Sequence, residues 1–117
     1  MIDVKNVSKS YKLSRKQRKE MGSDFIGDSV LAVDNISFSC QSGRIFGLIG
    51  PNGAGKTSTL RMIGTMLAPS SGAILVNKFD TVTHSQSVKK SLGFLSGNTA
   101  LYDRLTAEEM VRYYADL

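Results

Sequence analysis

The run Gly50-Pro51-Asn52-Gly53-Ala54-Gly55-Lys56-Thr57 carries the densest chemistry in the chain. It fits the spacing G-x-x-x-x-G-K-[ST], in which each fixed position answers a demand made by a polyphosphate. Gly50, Gly53 and Gly55 can take backbone angles that other residues avoid, so successive N–H groups turn inward as an anion nest. Lys56 adds a full positive charge aimed at the β- and γ-phosphates. The Thr57 hydroxyl suits Mg²⁺, which keeps most of its shell as water and phosphate oxygen, and Ser58 is placed to bond an α-phosphate. The bland alternative is a glycine-rich turn with a surface lysine, and the flanking elements decide against it.

Those elements follow from hydrophobic patterning. Arg44-Ile45-Phe46-Gly47-Leu48-Ile49 is a continuous apolar run of the kind buried on both faces of a sheet, and it leads straight into the loop. From Lys56 the period becomes helical, with Leu60, Ile63 and Leu67 on one face and Pro69-Ser70-Ser71-Gly72 as a stop. The positive end of that helix dipole would lie under the same phosphates. Strand, loop and helix in this order are the surroundings the motif needs.

Further strands are expected at Val4 to Val7 with Tyr11 and Leu13, at Leu31 to Cys40, at Ala73 to Val76 before the turn-prone Asn77-Lys78, and at Leu92 to Leu95. Thr106-Ala107-Glu108-Glu109 has capping-box spacing, and Met110, Tyr113, Tyr114 and Leu117 form an apolar helical stripe expected to pack in a core.

The chain has 117 residues, 41% hydrophobic and 21% charged, an ordinary balance for one globular domain. No window approaches the roughly 18 apolar residues that span a bilayer, and the start lacks the plan of a secretion signal, so a cytoplasmic location is expected. One cysteine, Cys40, and one histidine, His84, exclude an internal disulfide and a structural zinc site. The net charge of +5 is concentrated, since seven of fifteen basic residues lie between Lys5 and Lys19. Ser14 to Glu20 would suit nucleic acid or anionic lipid, but it reads first as a solvated loop within an exposed excursion at about residues 14–30.

The loop with its continuation Ser58-Thr59-Leu60 closely resembles the phosphate loop of ATP-binding cassette (ABC) transporter ATPases. Val33 to Phe38 with Gly43 to Ile49 resembles the strand pair that precedes it there, and Pro69 to Gly72 the turn after the first helix. Leu101 to Glu109 is similar to the bacterial exporter type with separate ATPase and membrane chains, including sodium-extrusion and drug-export subunits. The resemblance implies an α/β P-loop NTPase fold, with residues 1–117 as the N-terminal part of the nucleotide-binding domain. That part comprises an antiparallel β subdomain, the start of the parallel core sheet and the phosphate-loop helix.

The resemblance also implies ATP and Mg²⁺ as ligands, held by Gly50, Pro51, Asn52, Gly53, Ala54, Gly55, Lys56, Thr57 and Ser58. Thr57 would be on the metal, and Tyr11 stacked on adenine. A strand aromatic packed on the sheet is the alternative for Tyr11. Expected partners are a membrane-spanning subunit and a second cassette, at the inner face of the cell membrane, with no specific nucleic acid.

Two departures qualify this. Gly97 stands where the family usually has a glutamine that reaches Mg²⁺ and the membrane partner; Asn98, one place later, is a candidate substitute that the resemblance does not favour. Leu95-Ser96-Gly97-Asn98 is similar to the family's signature motif but lies too close to the phosphate loop to be it. The signature motif, the second magnesium-binding aspartate, the catalytic glutamate and the switch histidine would lie outside these residues, so no catalytic residue is expected within the chain. Binding without hydrolysis is then expected of this piece, with an uncovered sheet edge where the next strand normally sits. Two function classes stay open: the ATP-binding subunit of an exporter, and a truncated or degenerate cassette that holds nucleotide or a partner without turnover. Nucleic-acid binding through Lys5 to Lys19 has weaker support, for want of a second basic stripe.

Overall fold

A computed structural model describes residues 1–22, 27–97 and 101–116. Its centre is a four-stranded antiparallel sheet in the order β2-β1-β3-β4. The strands are β1 (Ile2–Lys12), β2 (Ser29–Cys40), β3 (Ser71–Val76) and β4 (Phe79–Asp80); the helices are α1 (Arg15–Glu20), α2 (Lys56–Ile63), α3 (Ser85–Ser91) and α4 (Ala107–Asp116). β1 runs the length of β2, from Ile2 opposite Cys40 to Lys12 opposite Ser29, and pairs on its other edge with β3.

The long β1–β2 ribbon shifts register between Val4 and Val7, where Asn6 and Asn35 take positive φ of 48° and 44°. Asparagine tolerates this region better than most residues. The amides released by the irregularity are satisfied by hydroxyls: Asn6 N–H donates to Ser37 Oγ at 2.8 Å, and Asn35 N–H to Ser8 Oγ at 2.8 Å. The β3–β4 hairpin turns through Asn77 and Lys78, with φ of 48° and 70°, the left-handed pair that matches strand twist in a two-residue loop.

The core lies where α2 and α3 cover one face of this sheet. Val4, Val7, Val33, Ile74 and Val76 come from the strands, Met62 and Ile63 from α2, and Val88 from α3. The buried face of α2 is Thr59, Met62 and Ile63, whereas Leu60, expected inside, is 48% exposed. α2 also ends at Ile63 rather than near Leu67. Gly64 caps it, and the amides of Met66 and Leu67 turn back to the Arg61 carbonyl.

Three further expectations change. The basic run is a helix rather than a loop, because Ser14 and Gln17 form a reciprocal capping box around a run of good helix formers. Residues 23–26 of that excursion lie outside the described ones. The stripe on α4 is exposed: no α4 residue is buried, and Tyr113 packs edge-on against Tyr102 and Tyr114 instead of entering a core. Leu117 lies outside the described residues.

The third change concerns the sheet. Neither Arg44 to Ile49 nor Leu92 to Leu95 joins a strand ladder among the described residues, and Ile45, Ile49 and Leu95 are exposed. A strand exists only through its partners' N–H and C=O groups, and no described segment offers them here. Phe46, itself exposed, and the half-buried Leu48 line with Phe38, Leu60 and Phe94 an apolar cavity of about 360 Å³. Phe46 stacks on Phe38 with centroids 5.1 Å apart.

Candidate functional site

The glycine loop meets the N-terminus of α2 at Gly55, whose φ of 91° only glycine takes without strain. No side chain caps this helix end, so its first amides have no side-chain acceptor. Gly53 also lies in the left-handed region, with φ of 85°. A closing turn runs from Ala54 N–H to the Pro51 carbonyl at 3.2 Å. Lys56 curls back over the loop, its Nζ donating to the carbonyls of Gly50 and Pro51, the latter at 2.8 Å. Thr59 Oγ1 returns to the Gly55 carbonyl at 2.9 Å, which spends that hydroxyl within the helix, while Thr57 stays exposed.

The result is a concavity of about 430 Å³ lined by Ala32, Asn52, Gly53, Gly55, Lys56, Thr57 and Ser58. Backbone donors, one ammonium and two hydroxyls converge there without a carboxylate in the lining, a donor set that suits a polyanion. Thr57 brings a hard oxygen suited to Mg²⁺ held mainly by phosphate and water. Among the described residues, no group of three His, Cys, Asp or Glu side chains forms a metal cage.

Tyr11 enters from a different element. It lies in the exposed end of β1, between Ser10 and Lys12, and its hydroxyl lies 3.3 Å from Ser58 Oγ on α2. Tyr11 is 37% exposed. The structure therefore brings Tyr11 to the rim of the concavity, 47 residues away in sequence from Ser58.

Two neighbours of the site were not singled out by sequence reasoning. Ala32 lines the concavity because β2 carries an extra residue between Val33, opposite Lys9, and Leu31, opposite Ser10. No pattern of residue types announces that irregularity. Lys9 lies over the Tyr11 ring, with Nζ 5.3 Å from its centroid. Two-residue spacing on one strand face was a usable signal for that contact.

The remaining candidates stay apart from the site. His84 precedes α3 and bonds the Thr83 hydroxyl through Nδ1 at 2.9 Å, and Cys40 is half-buried. Gly97 is exposed and supplies no side-chain ligand. Asn98 lies outside the described residues.

Comparison with known proteins completes the assignment. Residues 33–116 match the ABC transporter family. The chain is 47% identical over 89 residues to the ABC transporter ATP-binding protein NatA of Bacillus subtilis, covering 75% of this chain and 36% of NatA. It is 38% identical over 99 residues to the probable multidrug ABC transporter ATP-binding protein YbhF of Escherichia coli, covering 85% of this chain and 17% of YbhF. The dimeric structure of the bacterial ABC transporter cassette MJ0796 superposes with a TM-score of 0.75 at 26% identity, over 97% of this chain and 46% of that one. This chain thus spans about a third of NatA and under half of the MJ0796 cassette. With the family match extending over most of its length, the chain belongs to the ABC transporter ATP-binding family, with the P-loop cassette fold.

Proposed function

We propose that this chain is the nucleotide-holding part of the ATP-binding subunit of an ABC exporter. Mg-ATP lies with its phosphates in the concavity at Gly50 to Ser58 and its adenine on Tyr11. The carrying observation is the approach of the Tyr11 hydroxyl to Ser58 Oγ, which sets an exposed aromatic ring at the rim of a carboxylate-free nest. Amides of Gly53, Gly55 and the first turn of α2 face the phosphates, and Lys56 exchanges the Gly50 and Pro51 carbonyls for the terminal phosphates. Thr57 would hold Mg²⁺, which when bound would neutralise phosphate charge.

Export direction rests on the resemblance of Leu101 to Glu109 to exporter subunits, and membrane attachment on relatives named transporter ATP-binding proteins, NatA and the probable multidrug protein YbhF. In this reading the subunit works at the inner face of the membrane with a membrane-spanning subunit and a second cassette. The dimeric MJ0796 cassette supports the latter. No helix among the described residues is long and apolar enough to cross a membrane. The bare side chains of Ile45 and Ile49 support a covering layer at Arg44 to Ile49, where the family resemblance expects the next strand with its water-activating base.

A second reading, a cassette that holds nucleotide or a partner without turnover, draws on Gly97, which leaves no side chain at the family's glutamine position. Because these residues are expected to bind without hydrolysis under either reading, phosphate release separates the two in a protein that also holds the signature motif and the catalytic glutamate: turnover there supports the transport ATPase, and binding without release the holding module.

The site itself is tested by comparing Mg-ATP with inorganic tripolyphosphate on Tyr11→Ala. Loss of one stacked base should weaken ATP on the order of tenfold while tripolyphosphate is unchanged. Equal losses for both ligands would remove Tyr11 from the site.

A further inference from the structure

We infer that Lys9 is a positioning residue for the adenine platform, covering one face of Tyr11 so that the base is received on the other. The inference rests on the proposed stacking role of Tyr11. Lys9 Nζ lies 5.3 Å from the ring centroid, within the range of a cation–π contact. The same ammonium donates to the Ala68 carbonyl at 2.7 Å, so its place is set by backbone from another part of the fold.

That backbone is itself tied to β1 on both sides of Lys9. Ser70 N–H donates to the Ser8 carbonyl at 2.9 Å, and Ser10 N–H to Ser70 Oγ at 3.0 Å. The segment after α2 therefore holds Lys9 from across the strand, while Ser58 on α2 holds the Tyr11 hydroxyl at 3.3 Å. The ring is pinned at its edge and on one face, and Tyr11 as a residue is still exposed. The exposed remainder is where a base can stack. A fixed cation behind the ring draws π density away from the open face, which favours an electron-rich base over an isolated phosphate chain. Holding the ring in place also lowers the ordering cost of stacking.

The test titrates Mg-ATP and Mg-tripolyphosphate into wild-type protein and into Lys9→Met, Lys9→Gln and Lys9→Arg. Lys9→Met keeps the stem and loses the charge; Lys9→Gln also keeps a donor for the Ala68 carbonyl, and serves if Lys9→Met does not fold. Both neutral variants should weaken ATP about threefold to tenfold, with tripolyphosphate changed less than about twofold. Lys9→Arg, which restores a cation and a donor, should return ATP affinity to within about twofold of wild type. Unchanged ATP affinity in the neutral variants, equal losses for both ligands, or failure of arginine to rescue would each overturn the inference. A wild-type protein that binds ATP no better than tripolyphosphate would overturn the stacking role of Tyr11 and Lys9 with it. A preference undiminished in the neutral variants would remove Lys9 alone.

Discussion

Gly55 is the residue where sequence, backbone and site meet. A β-carbon built there would lie 2.4 Å from the Ala32 carbonyl oxygen and 3.0 Å from Val33 Cγ2, and its φ of 91° is already hostile to a side chain. Gly53 shares the left-handed conformation, with φ of 85°, but has open space around it. The two positions separate strain from collision. Gly53→Ala should cost about 1 to 2 kcal/mol, the penalty of the left-handed region alone. Gly55→Ala should cost clearly more, because backbone of β2 must also move. Chemical denaturation of both variants measures the difference, and equal destabilisation would refute the account of Gly55. The motif spacing made both glycines legible as loop residues. It did not distinguish them, because the discriminating atom belongs to Ala32, 23 positions earlier and brought in by a register shift.

At the scale of elements, side chains that bond backbone ends decide much of what forms. Thr106 and Glu109 build the capping box that their spacing announced: Glu109 Oε2 accepts from Thr106 N–H at 2.8 Å, and Glu109 N–H donates to Thr106 Oγ1 at 3.3 Å. The backbone bond from Thr106 holds the Glu109 carboxyl below its ordinary range. Asp80 does similar work before α3, accepting from Thr83 N–H at 2.9 Å and Val82 N–H at 2.8 Å. The Thr83 amide bond, opposed by partial burial and aided by the Val82 amide and Thr83 hydroxyl, lowers its pKa from 3.8. A lowered folded-state pKa means stability present above the unfolded value and lost as pH falls through the folded one. Unfolding free energy should therefore decline below about pH 3.8. In Asp80→Asn that decline should be shallower, since one of the contributing carboxyls is gone; an identical acid limb would show that Asp80 contributes nothing.

Elements defined by local chemistry were the readable ones. The Asn77-Lys78 turn, the capping box at Thr106 and the strand at Leu31 to Cys40 each emerged near their expected positions. Arg44 to Ile49 and Leu92 to Leu95 did not become strands, although their apolar runs are strong, because a buried strand is defined by neighbours and not by its own residues. The helix at Arg15–Glu20 was obscured by its charge, which outweighed the cap at Ser14 in a reading based on polarity. On α4, helical period was read correctly and burial was not. A stripe shows which face is apolar, not what lies against it.

Over the whole molecule, the radius of gyration is 16.9 Å, wider than the roughly 13 Å of a compact 100-residue domain. The extra breadth goes with an exposed α1, an α4 that buries nothing, and apolar segments bordering the cavity against Phe38 and Leu60. The phosphate loop is held from the sheet and from its own helix. Its anchors are Ala32 and Val33 behind Gly55, and α2 packed through Thr59, Met62 and Ile63. Nucleotide binding should therefore be a property of the loop, α2 and β1. The most direct test is calorimetric titration of Mg-ATP into the purified protein and into Lys56→Ala, with circular dichroism confirming that both are folded. The account predicts saturable binding to wild type and none measurable to Lys56→Ala; equal affinity in the two proteins would contradict it.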